Sequence, residues 1–337
     1  MKVSVCVPTV GRIGFLREAL ESVRKQEHRE IEVLISENSG TEEYARQVSD
    51  LAGELSDIPI RLFHQARQLS IAANANFLID EAHGDAVVHL PDDDVLCPHF
   101  LRRSVEVLVQ NPLVDFTFGD HWLIDAHGDV MSHATEAATR HYGRDELTEG
   151  VLPEERLYFV ALRQALCVQT MVIRKHVMQR FHFAVQSEPI PDFDLAVRMA
   201  EAPTPPRGFY IADRLIEYRH HGAQWSADRG KALASRESMA ASLERMRNVP
   251  VIYEREWKEK LAGVHFSLAG MLALDGNHRA TAVHAWRAFS SQPSFRHLLA
   301  LAALPLLPAP VVRAAFALRA RLSPRADHEG LTATGAG

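Results

Sequence analysis

Along this chain short apolar runs alternate with stretches whose apolar residues recur at helical spacing. Residues 2–7 form an apolar run that Pro8 is expected to stop, followed by a loop at 9–14 with two glycines, Gly11 and Gly14. Phe15, Leu16, Ala19, Leu20 and Val23 then recur every three or four positions, the spacing of a helix with one buried face. The alternation continues with a strand at 31–35, a helix at 41–55, a strand at 60–63, a helix at 70–82 that Gly84 is expected to close, and a strand at 86–90. Strand and helix in turn, joined by short connections, predict an α/β fold with a mostly parallel, Rossmann-like sheet flanked by helices. Ligands bind beyond the carboxyl ends of strands in such sheets, so the loops at 9–14, 37–40 and 92–94 are expected on one edge.

The fourth apolar run ends abruptly in Asp92, Asp93 and Asp94. Two carboxylates 4 Å apart repel by about 4 kcal/mol at an effective dielectric constant near 20, so something must offset the cluster. A hard divalent cation does this with oxygen ligands and a substrate's phosphates. A helix N-terminus whose dipole favours acidic residues is the alternative. The convergence of a metal, a glycine-bearing loop and acidic loops suggests a nucleotide ligand. Neither a P-loop nor a G-x-G-x-x-G fingerprint is present.

Further along, the pattern predicts a helix at 98–109, strands at 115–119 and 122–125 with a turn at 126–129, and a mobile polar loop at 133–150. A helix at 152–165, a strand at 168–173 and a helix from Lys175 follow. Another helix opens at Pro191-Asp192-Phe193-Asp194, and strands are expected at 208–212 and 215–218. Helices at 236–247, 253–274 and 280–289 make a C-terminal extension, in which Ala269, Leu272, Ala273, Ala282, Ala285 and Trp286 are expected to let two helices pack closely. Residues 311–322 carry Arg313, Arg319 and Arg321 on an amphipathic pattern. This region is expected either to lie on an anionic membrane surface or to pack as an ordinary helical cap. The expected division is a catalytic domain at 1–226, a helical region at 227–323 and a disordered tail at 324–337.

Composition narrows the picture. The 337 residues are 47% hydrophobic and 24% charged, and a net charge of −6 argues against nonspecific nucleic-acid binding. Three scattered cysteines, Cys6, Cys97 and Cys167, fit reduced thiols and a cytoplasmic location. No secretory leader and no apolar stretch of about 20 residues is expected.

Taken in order, these segments resemble family 2 glycosyltransferases of the GT-A fold. The residues that carry the resemblance are Pro8-Thr9-Val10-Gly11-Arg12 after the first strand, Glu37-Asn38-Ser39 after the second, Asn74-Ala75-Asn76 ahead of Gly84, the triplet Asp92 to Asp94, Pro191-Asp192-Phe193-Asp194-Leu195, and Tyr218-Arg219-His220-His221. They span about residues 1–226. The chain departs from the family pattern at Val10, Gly11, Ala75 and Pro191.

The resemblance implies inverting transfer from a nucleotide-diphosphate sugar, UDP-linked, to the hydroxyl of a glycan or lipid-linked acceptor, in cell-surface glycan assembly. It implies Mn²⁺ or Mg²⁺ on Asp94 with Asp92 and His221. It implies substrate contacts from Pro8, Thr9, Arg12, Glu37, Asn38, Asn74, Asn76, Asp92, Asp93 and Arg219. The catalytic base would be Asp192, with Asp194 as second candidate, although Asp192 also suits a helix cap. Ser226 and Trp225 belong to a loop that would close over the donor. Two other readings stay open: a nucleotidyltransferase, which wants a lysine near the first strand, and a non-catalytic sugar-nucleotide-binding protein.

Overall fold

The structure is a computed structural model and describes residues 1–222, 231–308 and 310–312. The chain forms two compact units, one of Met1–Gln186 with Pro191–His221, the other of Ser187–Ile190 with the residues from Gly222 onward. The expected lid residues Trp225 and Ser226 lie outside the described residues, as do 313–337 with the three expected arginines and the expected disordered tail.

In the first unit, strands β1 (Val3–Thr9), β2 (Ile31–Glu37), β3 (Ile60–His64) and β4 (Ala86–His89) alternate with helices α1 (Ile13–Arg24), α2 (Glu42–Glu54) and α3 (Ile71–Glu81). There follow β5 (Val95–Leu96), α4 (Phe100–Gln110), β6 (Phe116–Gly119), β7 (Trp122–Ile124), α5 (Ser132–His141), β8 (Gly150–Val151), α6 (Arg156–Arg163), β9 (Val172–Arg174), α7 (Lys175–Phe181), α8 (Pro191–Ala200), β10 (Gly208–Ile211) and β11 (Ile216–Arg219). The main sheet has the order β3-β2-β1-β4-β9-β6-β10-β8, and β5-β11-β7 form a small second sheet. β9 is antiparallel to both β4 and β6, so β6 and the parallel β10 run in the same direction as β1 to β4. Every strand end from Thr9 to Ile211 in this set therefore opens on one edge.

The inner strands are buried on both faces, which is why β2 carries three consecutive apolar residues, Val33, Leu34 and Ile35, rather than an alternating pattern. Val5, Val33, Ile35 and Val88 meet Leu16, Leu20, Phe100 and Leu101 in the core. Pro8 does not stop β1; the strand runs through it to Thr9. β4 pairs with β1 only as far as Cys6, and Pro8 faces that side, so its missing N–H costs no ladder bond. Gly84 does not close α3, which ends at Glu81. It lies where the chain passes β1: a Cβ there would stand 2.7 Å from the Ser4 Oγ and 2.8 Å from the Lys2 carbonyl oxygen.

Two further expectations are corrected. The polar stretch expected as a mobile loop contains α5 and a short 3-10 turn, Arg144–Glu146. The buried residues of α5 are Thr135, Ala138 and Thr139, so it packs through hydroxyls rather than a greasy stripe. Thr135 Oγ1 accepts from the Leu123 amide at 3.0 Å, and Thr139 Oγ1 donates to Asp120 at 2.5 Å. The expected strand at 168–173 splits into a 3-10 turn, Val168–Thr170, and the shorter β9.

The second unit contains helices α9 (Ala232–Arg245), α10 (Val251–Leu274), α11 (His278–Ser291) and α12 (Phe295–Ala303). Ala269, Ala273, Ala285 and Ala288 are buried where α10 and α11 pack together, whereas Trp286 is 58% exposed and takes no part in that seam. No helix among the described residues is long and apolar enough to cross a membrane.

Candidate active site

The register of the parallel strands brings the polar loops together. Thr9 at the end of β1 pairs with Glu37 at the end of β2, and Glu37 pairs on its other side with His64. β4 leads through Pro91 into the three aspartates beside them.

Those aspartates differ in what they touch. Asp92 is fully buried; its Oδ2 accepts from Thr9 Oγ1 at 2.6 Å and from the Val10 amide at 3.2 Å, and its Oδ1 pairs with the Arg12 guanidinium. Both oxygens of Asp92, expected as a metal ligand, are engaged by Thr9, Val10 and Arg12. Asp93 Oδ2 accepts from Arg12 at 2.8 Å and lies 3.0 Å from His221 Nε2. His221 thus faces Asp93 rather than joining Asp94, with its ring centroid 4.7 Å from that of Phe15. Asp94 Oδ1 accepts the backbone N–H of Arg219 at 3.0 Å, while its Oδ2 is buried with no hydrogen-bond partner among the described residues. Burial, reinforced by the Asp93 carboxylate, pushes the Asp94 pKa well above the usual carboxylate range, and burial also raises that of Asp92.

An unsatisfied buried acceptor costs about 1–3 kcal/mol, more when charged. A cation on Asp94 Oδ2 relieves that cost. Among the described residues no three acidic, histidine or cysteine side chains converge as a metal cage. One available carboxylate oxygen fits a Mg²⁺- or Mn²⁺-type ion that keeps water and phosphate oxygens for the rest of its sphere.

Several residues expected at the substrate hold the scaffold instead. Arg219 is 1% exposed; its Nε donates to the Asp93 carbonyl at 2.9 Å, a terminal nitrogen pairs with Glu18 at 2.5 Å, and its guanidinium lies 4.8 Å from the Phe15 ring centroid. It staples β11 and α1 to the aspartate loop. Asn38 spends both ends of its amide on Leu69, accepting from the N–H at 2.7 Å and donating to the carbonyl at 3.0 Å. Asn76 grips Phe183 in the same way, at 2.8 Å on each side. Buried Asn74 accepts from Ser36 Oγ at 2.5 Å. Thr9 is also bonded to the Tyr44 hydroxyl. Glu37, buried at the rim, accepts from the Ser39 amide at 2.6 Å, with His64 Nδ1 at 3.4 Å from its other oxygen.

The two candidate bases separate cleanly. Asp194 is fully buried and paired with Arg198 Nε at 2.6 Å, one turn along α8, and Arg198 also donates to the His182 carbonyl at 2.6 Å. Asp194, the second candidate base, is thus engaged in an ion pair within α8. Asp192, at the start of the same helix, is exposed, yet desolvation by the protein around it raises its pKa, against the opposing pull of the Phe193 amide. An accessible carboxylate with a raised pKa is a competent proton acceptor.

Sequence reading passed over Asp120, which directly follows β6 on the edge where the aspartates follow β4 after Leu90 and Pro91; an acidic residue at a strand end was the available signal. Asp120 accepts from Thr139 at 2.5 Å, Arg144 at 3.1 Å and Arg214 at 2.9 Å. His121 beside it is buried, which pulls its pKa down to about 3, and its ring lies 5.4 Å from that of Tyr218.

Comparison with known proteins agrees with this architecture. Residues 4–167 match the family described as glycosyl transferase family 2. The chain is 31% identical over 132 residues to a GalNAc(5)-diNAcBac-PP-undecaprenol beta-1,3-glucosyltransferase of Campylobacter jejuni, covering 38% of this chain and 40% of that one. The chain spans about a fifth to a half of the length of the curated relatives it matches. Among solved structures, S. aureus TarS 1-349 in complex with UDP-GlcNAc superposes with a TM-score of 0.61 at 13% identity, covering 95% of this chain and 92% of that one. The mannosyltransferase PcManGT from Pyrobaculum calidifontis, in complex with GDP-Man and Mn2+, gives 0.55 at 15% identity over 96% and 81%. The fold is GT-A, and the family match falls on the strands and loops that carry the aspartates: residues 4–167 of this chain are a glycosyl transferase family 2 region.

Proposed function

We propose that this protein transfers a glycosyl group, with inversion, from a UDP-linked sugar to an acceptor hydroxyl, using Mn²⁺ or Mg²⁺. The observation that carries the reading is the buried, partnerless Oδ2 of Asp94 on the edge where the strand ends converge. A cation bound there supplies Lewis-acid neutralisation of the departing diphosphate. Arg219 fixes Asp94 through its backbone N–H, and Arg12 compensates the charge of Asp92 and Asp93. Pro8 and Glu37 line the nucleotide side of the edge, with Glu37 the group that reads the base. Asp192 takes the proton from the acceptor hydroxyl as its oxygen bonds to the anomeric carbon. The bond from that carbon to the diphosphate oxygen breaks, and its electron pair leaves with the nucleoside diphosphate. A single displacement of this kind inverts the anomeric centre.

The C. jejuni relative is named for an undecaprenol-linked acceptor, which supports a lipid-linked acceptor here; cell-surface glycan assembly at the cytoplasmic face of a membrane is part of the same proposal. In the second unit, exposed Phe295, Leu298, Leu299 and Leu306 suit a peripheral contact.

Calorimetric titration with UDP, with and without Mn²⁺, beside Asp94→Ala, tests the reading. Metal-dependent binding lost in the variant is the expected result. Failure of UDP, GDP and TDP alike to bind would overturn it.

A further inference from the structure

A recess of about 510 Å³ opens on the same sheet edge, beyond the ends of β6 and β10. That volume lies in the range of small-molecule sites. Its floor is built from Asp120, Thr139 and Arg144, all buried, and its wall from half-buried Trp122 and Arg214. The Arg214 guanidinium stacks 4.8 Å from the Trp122 ring centroid and donates to Asp120 at 2.9 Å and Glu136 at 2.7 Å, so the indole is clamped in one orientation. Exposed Asp145 and Asp213 stand on the rim.

The small sheet sets the recess against the aspartate site. β11 lies between β5 and β7, and Glu217 faces Val95 on one side and Trp122 on the other. Val95 follows Asp94. Two strand spacings therefore put the Trp122 backbone about 10 Å from the chain at Asp94, a span that one or two linked sugar rings bridge.

We propose that this recess holds a neutral pyranose unit of the acceptor glycan, one or two residues from the hydroxyl that reacts. The inference rests on the glycosyltransferase reading and deepens it. A clamped indole offers an apolar face to the C–H side of a sugar ring. Fixed carboxylate and guanidinium groups around it suit hydroxyls. Arg144 and Arg214 are neutralised by Asp120 and Glu136, and the rim adds Asp145 and Asp213, so the recess carries no excess positive charge for a uronic acid or a phosphate.

The test is saturation-transfer NMR on the full chain. The probes are methyl glucoside, galactoside, mannoside and N-acetylglucosaminide, cellobiose, lactose and N,N′-diacetylchitobiose, with methyl glucuronide as the acidic control. Calorimetry with UDP and Mn²⁺ runs beside it. The expected result is transfer to at least one neutral probe and none to the glucuronide. Affinity should weaken about tenfold, or 1.4 kcal/mol, in Trp122→Ala and partly recover in Trp122→Phe, with UDP binding unchanged. If Trp122→Ala fails to fold, Asp213→Ala on the exposed rim reads the same loss. Equal transfer from the variants, or none from the wild-type protein while UDP binds, would overturn the recess as a sugar site. Sugar binding at Trp122 in a protein that takes no nucleotide would overturn the acceptor role alone.

Discussion

The backbone N–H of Arg219 donates to Asp94 Oδ1 at 3.0 Å, and the other oxygen of that carboxylate is buried without a partner. The end of β11 thus holds one side of the carboxylate and leaves the other for a cation. Asp94→Asn removes the buried charge and its mutual repulsion with Asp93. The variant is expected to melt no lower than the wild-type protein without metal, and to lose the rise in melting temperature that Mn²⁺ gives the wild type by mass action. Thermal scans with and without Mn²⁺ check both parts.

Asp192→Asn should lower turnover about 10²–10⁴-fold while UDP binds as before. Only the ionised carboxylate accepts a proton, and desolvation by the protein packed around Asp192 raises its pKa although the residue is accessible. The acid limb of kcat/KM in the wild-type enzyme is therefore expected above the ordinary aspartate value of about 3.9. A limb at or below that value would count against Asp192.

Arg198→Ala should cost stability rather than chemistry. It leaves the fully buried Asp194 without its ion-pair partner, a loss of about 2–3 kcal/mol after allowing for the partial exposure of Arg198. Denaturant unfolding measures this, and UDP affinity of the folded variant should be unchanged.

Asn76→Ala separates scaffold from substrate contact. The change orphans the N–H and carbonyl of Phe183 and is expected to cost about 2 kcal/mol with UDP affinity unchanged. Loss of nucleotide binding at retained stability would restore Asn76 to the substrate.

Half-buried His89 and buried His121 are held neutral, with pKa values pulled down to about 4 and about 3 by desolvation. Between those values and the unfolded value near 6.5, the unfolded chain binds more protons than the folded one. Stability is therefore full above about pH 6.5 and falls as pH drops, by up to about 1.4 kcal/mol per pH unit for each histidine. His89→Phe should flatten the slope of unfolding free energy against pH between 6.5 and 4.

The alternation of apolar runs and helical spacing was enough to place β1 to β4, their helices and the shared edge, because a strand buried on both faces can hardly be written without consecutive apolar residues. The chain order of the loops then put Thr9, Glu37 and the aspartates together before any contact was known. The α5 segment escaped because it is anchored by Thr135 and Thr139, whose hydroxyls carry no hydropathy signal.

What each polar residue does was decided only by the fold. Asp92, Asp93 and Asp94 are identical in composition and adjacent in sequence. They part company because Arg12 from one loop grips Asp92 and Asp93, His221 from beyond β11 adds to Asp93, and the Arg219 amide takes Asp94. Asp192 and Asp194 stand on one helix, and one turn of α8 brings Arg198 to Asp194 alone. Asn38, Asn74 and Asn76 look like ligands in sequence but are spent on backbone and serine partners 31 to 107 residues away. A one-dimensional pattern records burial and period; it does not record which lone pair is already taken, and that is settled by partners the chain brings in from afar.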